Sequence, residues 1–192
     1  MPNAITMLKA DHATVKRLLR ELDESGERAV KQRERLLADI EREVKIHSQL
    51  EEELFYPTFK KCAEDSEAED LFYEATEEHH VVDMVLPELK STSTKAPEFA
   101  AKSKVLRELI EHHIREEESQ MFRQARDLMS DEQLRALGDA MQARKQTLKT
   151  MWSNPVLKPV KTLQSAVHKV MPSKIMNAKA NAIAAMESEP RR

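Results

Sequence analysis

His47 and Glu51 stand four residues apart, and so do His113 and Glu117. On a helix that spacing stacks two side chains on one face, one turn apart, so an imidazole nitrogen and a carboxylate oxygen reach the same point. Apolar residues three and seven positions before each histidine, Val44 and Ile40 in one segment and Ile110 and Leu106 in the other, turn both pairs toward a core. Two further histidines, His12 and His79, each stand on an apolar stripe of their own, Val15, Leu18, Leu19 and Leu22 in one case and Val82, Val85, Leu86 and Leu89 in the other. Polar groups buried without partners cost about 2–7 kcal/mol each, and charged ones more. A domain whose whole stability is about 5–15 kcal/mol cannot carry four such imidazoles and two such carboxylates. Two bound cations would remove the conflict. Imidazoles and carboxylates without thiolates suit iron, manganese or zinc, and paired carboxylates can bridge two ions about 3.5–4 Å apart.

The pattern is an internal repeat. Asp11-His12-Ala13-Thr14-Val15 lines up with Glu78-His79-His80-Val81-Val82 at an offset of 67 residues. At an offset of 66, Ile40, Val44, His47, Glu51, Phe55 and Tyr56 fall on Leu106, Ile110, His113, Glu117, Met121 and Phe122. Each half thus supplies a histidine from its first helix and His-x-x-x-Glu from its second. The repeat register favours His79 and His113 over their neighbours His80 and His112, which a one-residue rotation of the helix would exchange. Glu52, Glu53, Glu116 and Glu118 read mainly as a solvated charge run, with contact to metal as a second reading for Glu118. Tyr56 and Tyr73 read first as packing residues and second as hydrogen-bond donors to a bound oxygen species.

Helices must position these groups. The apolar spacing from Ile5 to Leu22 predicts a first helix that stops at Asp23-Glu24-Ser25-Gly26. A second run, with Leu36, Leu37, Ile40, Val44 and Leu50, reaches Phe55 and Tyr56, after which Pro57 is expected to bend or end it. A third helix spans roughly Glu67 to Leu89, and the polar loop 91–97 separates it from a fourth over about Glu98 to Leu128. A fifth begins at Ser130, where Ser130 and Gln133 have capping-box spacing, and extends to near Met151. The expected fold is all-α: an up-down-up-down four-helix bundle with a fifth helix over residues 1–152, and a helical C-terminal extension over 153–192. That extension is punctuated by Pro155, Pro159 and Pro172, yet Val156, Val160, Leu163, Val167 and Val170 recur three and four apart. The stripe suits a helix packed outside the bundle, or a basic amphipathic element for a partner or an anionic surface.

Composition agrees with long amphipathic helices: 34% of the 192 residues are charged, 4% are aromatic, and the only glycines are Gly26 and Gly138. Neither G-x-G-x-x-G nor G-x-x-x-x-G-K occurs, so phosphate-cradling nucleotide chemistry has no seat. Residues 153–192 carry seven basic and two acidic side chains, which leaves 24 basic against 32 acidic in the rest. An acidic body speaks against nucleic-acid binding there. The lone Cys62, the absence of an apolar leader at Met1-Pro2-Asn3-Ala4 and the lack of any run of about 18 apolar residues lead to an expectation of a cytoplasmic protein with no transmembrane segment.

The order His12, then His47-Ser48-Gln49-Leu50-Glu51-Glu52, Leu54-Phe55-Tyr56-Pro57, His79, and His113-Ile114-Arg115-Glu116-Glu117-Glu118 resembles the hemerythrin-like, HHE cation-binding family over about residues 4–150. The resemblance implies two non-haem iron ions (Fe2+/Fe3+) with an oxo or hydroxo bridge. It implies His12, His47, His79 and His113 as terminal ligands and Glu51 and Glu117 as bridges. Dioxygen-carrying hemerythrins have His-x-x-x-His on the third helix, where Asp83 stands four after His79 here, and His-x-x-x-x-Asp on the fourth, where Glu117 and Glu118 stand here. One histidine fewer implies an open position on one iron. The implied function is binding of, or reaction with, a small diatomic or peroxide ligand: dioxygen, peroxide or nitric oxide. Peroxide-disproportionating or oxidase-like turnover is one form this would take. The rival expectation is an iron, redox or oxygen sensor that signals to a protein partner through the basic C-terminal tail.

Overall fold

The computed structural model describes residues 3–63 and 66–154, and among these every regular element is helical. The chain divides into compact units at residues 1–150 and 151–192, and only residues 151–154 of the second are described. The expected tail helix therefore lies outside the described residues.

α1 (Ala4–Glu24) starts where the Asn3 side chain accepts a hydrogen bond from the Thr6 amide at 2.9 Å. α2 (Val30–Leu50) runs into a five-residue π turn, Glu51–Phe55, and continues as α3 (Tyr56–Cys62). Next come α4 (Ser66–Ser91) and α5 (Pro97–Glu116), then a second π turn, Glu117–Met121, and α6 (Phe122–Leu128). α7 (Asp131–Ser153) opens with a reciprocal capping box: the Gln133 amide donates to Ser130 Oγ and the Ser130 amide to Gln133 Oε1.

The repeat is thus structural as well as sequential. Both π turns begin at the glutamate of a His-x-x-x-Glu pair, and the offset of 66 carries one onto the other. Of the two expectations for Pro57, a bend or an end, the end does not occur. Pro57 lies in the first turn of α3, where its missing N–H leaves least unpaired, so the chain stays helical through Cys62.

α1 packs on α2 and α5, and α4 packs on α5 and α2, which closes a four-helix bundle. The apolar layer at one end joins Leu18, Leu19, Leu22, Leu36, Ile40, Leu86, Leu89, Phe99 and Leu106, all buried. Buried Arg33 ties the two interhelical turns at this end together: it donates to Ser25 Oγ (3.0 Å), to the Ser25 carbonyl (2.7 Å) and to the Thr94 carbonyl (2.5 Å), and lies over the Phe99 ring. At the other end Phe55, Tyr56, Phe59 and Phe122 are fully buried. The histidines lie between these two apolar layers. α7 adds Leu134, Met141 and Leu148 to the buried set and anchors through Lys145 to Asp11 and Arg144 to Glu53.

Candidate metal centre

All six side chains singled out in the sequence meet in the bundle interior: His12 (α1), His47 (α2), His79 (α4), His113 (α5), and Glu51 and Glu117 at the starts of the π turns. None is more than 6% exposed. Nε2 of His12 lies 3.1 Å from Nε2 of His47, and Nε2 of His79 lies 3.2 Å from Nε2 of His113. Each glutamate spans both histidine pairs. Glu51 places Oε1 3.1 Å from His47 Nε2 and Oε2 3.4 Å from His79 Nε2. Glu117 places Oε2 3.2 Å from His12 Nε2 and 3.5 Å from His113 Nε2.

These approaches are close, but the carboxylate atoms lack hydrogen-bond geometry: both oxygens of Glu51 and Oε2 of Glu117 are buried without a partner. Orphaned buried carboxylate oxygens facing imidazole nitrogens are costly in a bare protein. Cations between them would satisfy every one. The donor set fits: the clusters His12, His47, Glu51, Glu117 and Glu51, His79, His113 each bring ligand-type atoms within 4.8 Å of one another, and Glu51 belongs to both. The chain therefore has His/Glu clusters able to hold metal.

A second layer orients the first. His12 Nδ1 donates to Glu118 Oε1 at 2.9 Å, His79 Nδ1 to Glu52 Oε1 at 2.9 Å, and His113 Nδ1 to Glu78 Oε2 at 2.8 Å. Asp11 Oδ2 faces His47 Nδ1 at 3.8 Å. A proton held on Nδ1 leaves the Nε2 lone pair free to point inward, the arrangement in which histidine serves metals. Glu52 is exposed and Glu118 half-buried, as a solvated run would have them, but both are also tied to inward histidines. Glu53 instead pairs with Arg144 at 2.7 Å. The repeat held the missed signal, since an acid precedes the lone histidine in both halves (Asp11, Glu78) and another follows the second glutamate position (Glu52, Glu118).

The π turns explain how consecutive functional groups stay inside. A wider turn advances fewer degrees per residue, so Glu51, Phe55 and Tyr56 all remain buried, as do Glu117, Met121 and Phe122. Tyr56 stacks on His79 and Phe122 on His12, both with ring centroids 5.7 Å apart. The Tyr56 hydroxyl donates to Glu117 Oε1 at 2.9 Å. Tyr73 is exposed and lies beside Lys60 and Glu69, away from the centre. His80 and His112 are exposed, and Asp83 pairs with Lys45 rather than entering either cluster.

Burial opposes charge on His47, but Glu51, Asp11 and Glu117 outweigh it and raise its pKa to about 10. His79 is likewise opposed by burial and lifted to about 9 by Glu51 and Glu52. Burial raises the Glu51 carboxyl, yet His47 and His79 hold it well below the usual carboxylate range. Burial, together with the Glu117 and Glu51 charges, pushes the Tyr56 phenol well up. The four imidazoles also line a cavity of about 20 Å³ walled by Val15, Val44, Val82, Ile110 and Ile114, enough for one water-sized molecule.

The sequence model of the Hemerythrin HHE cation binding domain matches residues 3–125. The chain belongs to the hemerythrin HHE cation-binding family. A crystal structure of an HHE cation binding domain-containing protein from Mycobacterium kansasii, described as an Rv2633c homolog, shares its fold. That protein is 28% identical with a TM-score of 0.69, over 78% of this chain and 89% of that one. The uncharacterized protein Rv2633c of Mycobacterium tuberculosis is 31% identical over 150 residues, 77% of this chain and 88% of that protein. A protein of Nostoc sp. named DNA nickase is 28% identical over 131 residues, and this HHE chain spans 36% of its length. The family and the solved relative support the all-helical bundle. Among the described residues of this HHE protein no helix is long and apolar enough to cross a membrane.

Proposed function

We propose that the chain is a non-haem di-iron protein whose centre binds, or reacts with, dioxygen, peroxide or nitric oxide. The observation that carries this reading is the pair of spanning carboxylates: Glu51 between His47 and His79, and Glu117 between His12 and His113. On that geometry His12 and His47 would hold one ion and His79 and His113 the other, with Glu51 and Glu117 available to both.

Bound iron supplies one-electron redox chemistry and Lewis acidity toward a small ligand. The residues of the chain do the rest. Glu118, Glu52 and Glu78 fix three histidine tautomers, and Asp11 faces the fourth. The valine and isoleucine wall of the cavity surrounds the inward nitrogens with apolar side chains and leaves space for one water-sized molecule beside them. The Tyr56 hydroxyl keeps its proton and donates it to Glu117 Oε1, and the hydroxyl oxygen lies 3.5 Å from His79 Nε2.

The metal-binding unit is assigned to residues 1–152 of a cytoplasmic protein, in keeping with the single free Cys62. The opposed charge of residues 153–192 favours a second reading, in which the state of the centre is reported to a partner through the tail. Deleting 153–192 separates the two: loss of a captured partner with intact metal chemistry supports the sensor. The activity named for the Nostoc relative belongs to a protein of which this chain spans 36%. The acidic body here argues against a nucleic-acid surface.

The test is to mix reduced, iron-loaded protein separately with dioxygen, peroxide and nitric oxide. A near-ultraviolet or visible change with at least one of them is expected. With peroxide, dioxygen release beyond one equivalent per centre marks turnover to water and dioxygen. No spectral change with any of the three would contradict the proposal.

A further inference from the structure

α5 carries two His-x-x-x-Glu pairs in adjacent registers. His113 and Glu117 face inward, whereas His112 and Glu116, one residue earlier, face outward, with the His112 side chain 50% exposed. Nε2 of His112 lies 3.6 Å from Glu116 Oε1 and 3.5 Å from Oε1 of Glu78 on α4. Metal bonds of about 2.0–2.2 Å put neighbouring ligand atoms about 3–3.5 Å apart. The two distances from His112 are close to that spacing, and the three residues bring ligand-type atoms within 4.8 Å of one another. The second oxygen of Glu78 accepts from Nδ1 of His113 at 2.8 Å, so one carboxylate joins the outer cluster to the buried histidine.

The repeat shows what is particular to this half. The counterparts of His112, Glu116 and Glu78 are Ile46, Leu50 and Asp11. Ile46 and Leu50 are buried, and the charge of Asp11 is met by Lys145 of α7. Among the described residues, Glu78 has ion-pair contacts only with His112 and His113. A cation is what the first half has at this place and the second lacks. Glu78 and Glu116 also join Glu74 around a cavity of about 10 Å³ whose lining includes Glu117, and Oε2 of Glu117 is buried without a hydrogen-bond partner. The counterpart of Glu74 is buried Met7, so at the matching place the first half has an apolar side chain where this half has a carboxylate.

We propose that Glu78, His112 and Glu116 form an outer divalent-cation site from which ions pass to the buried centre; the second clause rests on the di-iron reading. One imidazole and two carboxylates suit Fe2+, Mn2+ or Zn2+, with water completing the shell.

The test counts Mn2+ bound to the metal-free full chain by electron paramagnetic resonance of the free ion, for wild type and His112→Ala. His112 is surface-exposed, and circular dichroism checks that the variant keeps its helices. Three ions per chain in wild type and two in the variant are expected, and two in both would overturn the site. One ion in wild type and none in the variant would uphold the outer site while overturning the buried one. With anaerobic Fe2+ at low micromolar concentration, chelator quenching and oxidation report filling of the buried centre, which His112→Ala should slow about tenfold. An unchanged rate would overturn the docking role.

Discussion

The Tyr56 hydroxyl donates to Oε1 of Glu117 across 2.9 Å, while Phe122, at the matching place in the repeat, leaves Glu51 without any such donor. Two halves that match at His12 and His79, His47 and His113, and Glu51 and Glu117 therefore differ by a hydroxyl beside the spanning carboxylate. One spanning carboxylate is tethered and the other is not, so the two glutamates are electronically inequivalent.

Replacing Tyr56 with phenylalanine removes that tether and little else, because Phe122 already shows that a phenyl ring fits this environment. A hydrogen bond to a charged group is worth about 1.5–3 kcal/mol, so Tyr56→Phe is expected to destabilise the metal-free protein by that amount in urea unfolding. A change under about 0.5 kcal/mol would mean that the hydroxyl does not hold Glu117.

Glu52 and Glu118 act on the centre through His79 and His12. Glu52→Gln and Glu118→Gln are each expected to weaken metal binding about 10–100-fold while leaving the helical spectrum unchanged. Glu53→Gln is the control, since Glu53 pairs with Arg144 on α7. Equal affinity in all three variants, measured by competition with a chelator, would contradict the orienting role.

The metal-free protein should lose stability as the solution turns alkaline. His47 and His79 have folded pKa values raised to about 10 and about 9 from 6.5. A raised value means a contribution fully present below about pH 6.5 and lost as pH passes through 9 to 10. Thermal melts between pH 6 and 10.5 should show Tm falling across that upper range. Metal must displace the same protons, so affinity should rise with pH from neutral toward 9. A flat profile in both measurements would contradict the charged state assigned to these histidines. At the acid end Glu51 and Asp11 are lowered, so their contribution is lost only as pH falls below the ordinary carboxylate range.

The meeting of His12, His47, Glu51, His79, His113 and Glu117 was legible from spacing alone, because i, i+4 pairs on apolar stripes leave one inward direction and the repeat selects the register. The π turns were not legible. Periodicity reports which face is apolar, and a single wide turn at Glu51 or Glu117 alters it only for the few residues that follow, so Pro57 read as a bend or an end. Glu52 and Glu118 were lost in runs of acid that look solvated by composition. Only their matching positions in the two halves set them apart from Glu53, which pairs outward to Arg144. Asp83 stands where dioxygen-carrying hemerythrins have a further histidine, and here it pairs with Lys45 across the α2–α4 contact.

The most direct measurement is the metal content and optical spectrum of protein purified from iron-supplied cells, with the His47→Ala, Glu51→Ala double variant beside it. Two irons per chain, with near-ultraviolet charge-transfer bands that the double variant loses, are the predicted result. A wild-type protein with an intact helical spectrum and no bound metal would contradict the di-iron centre.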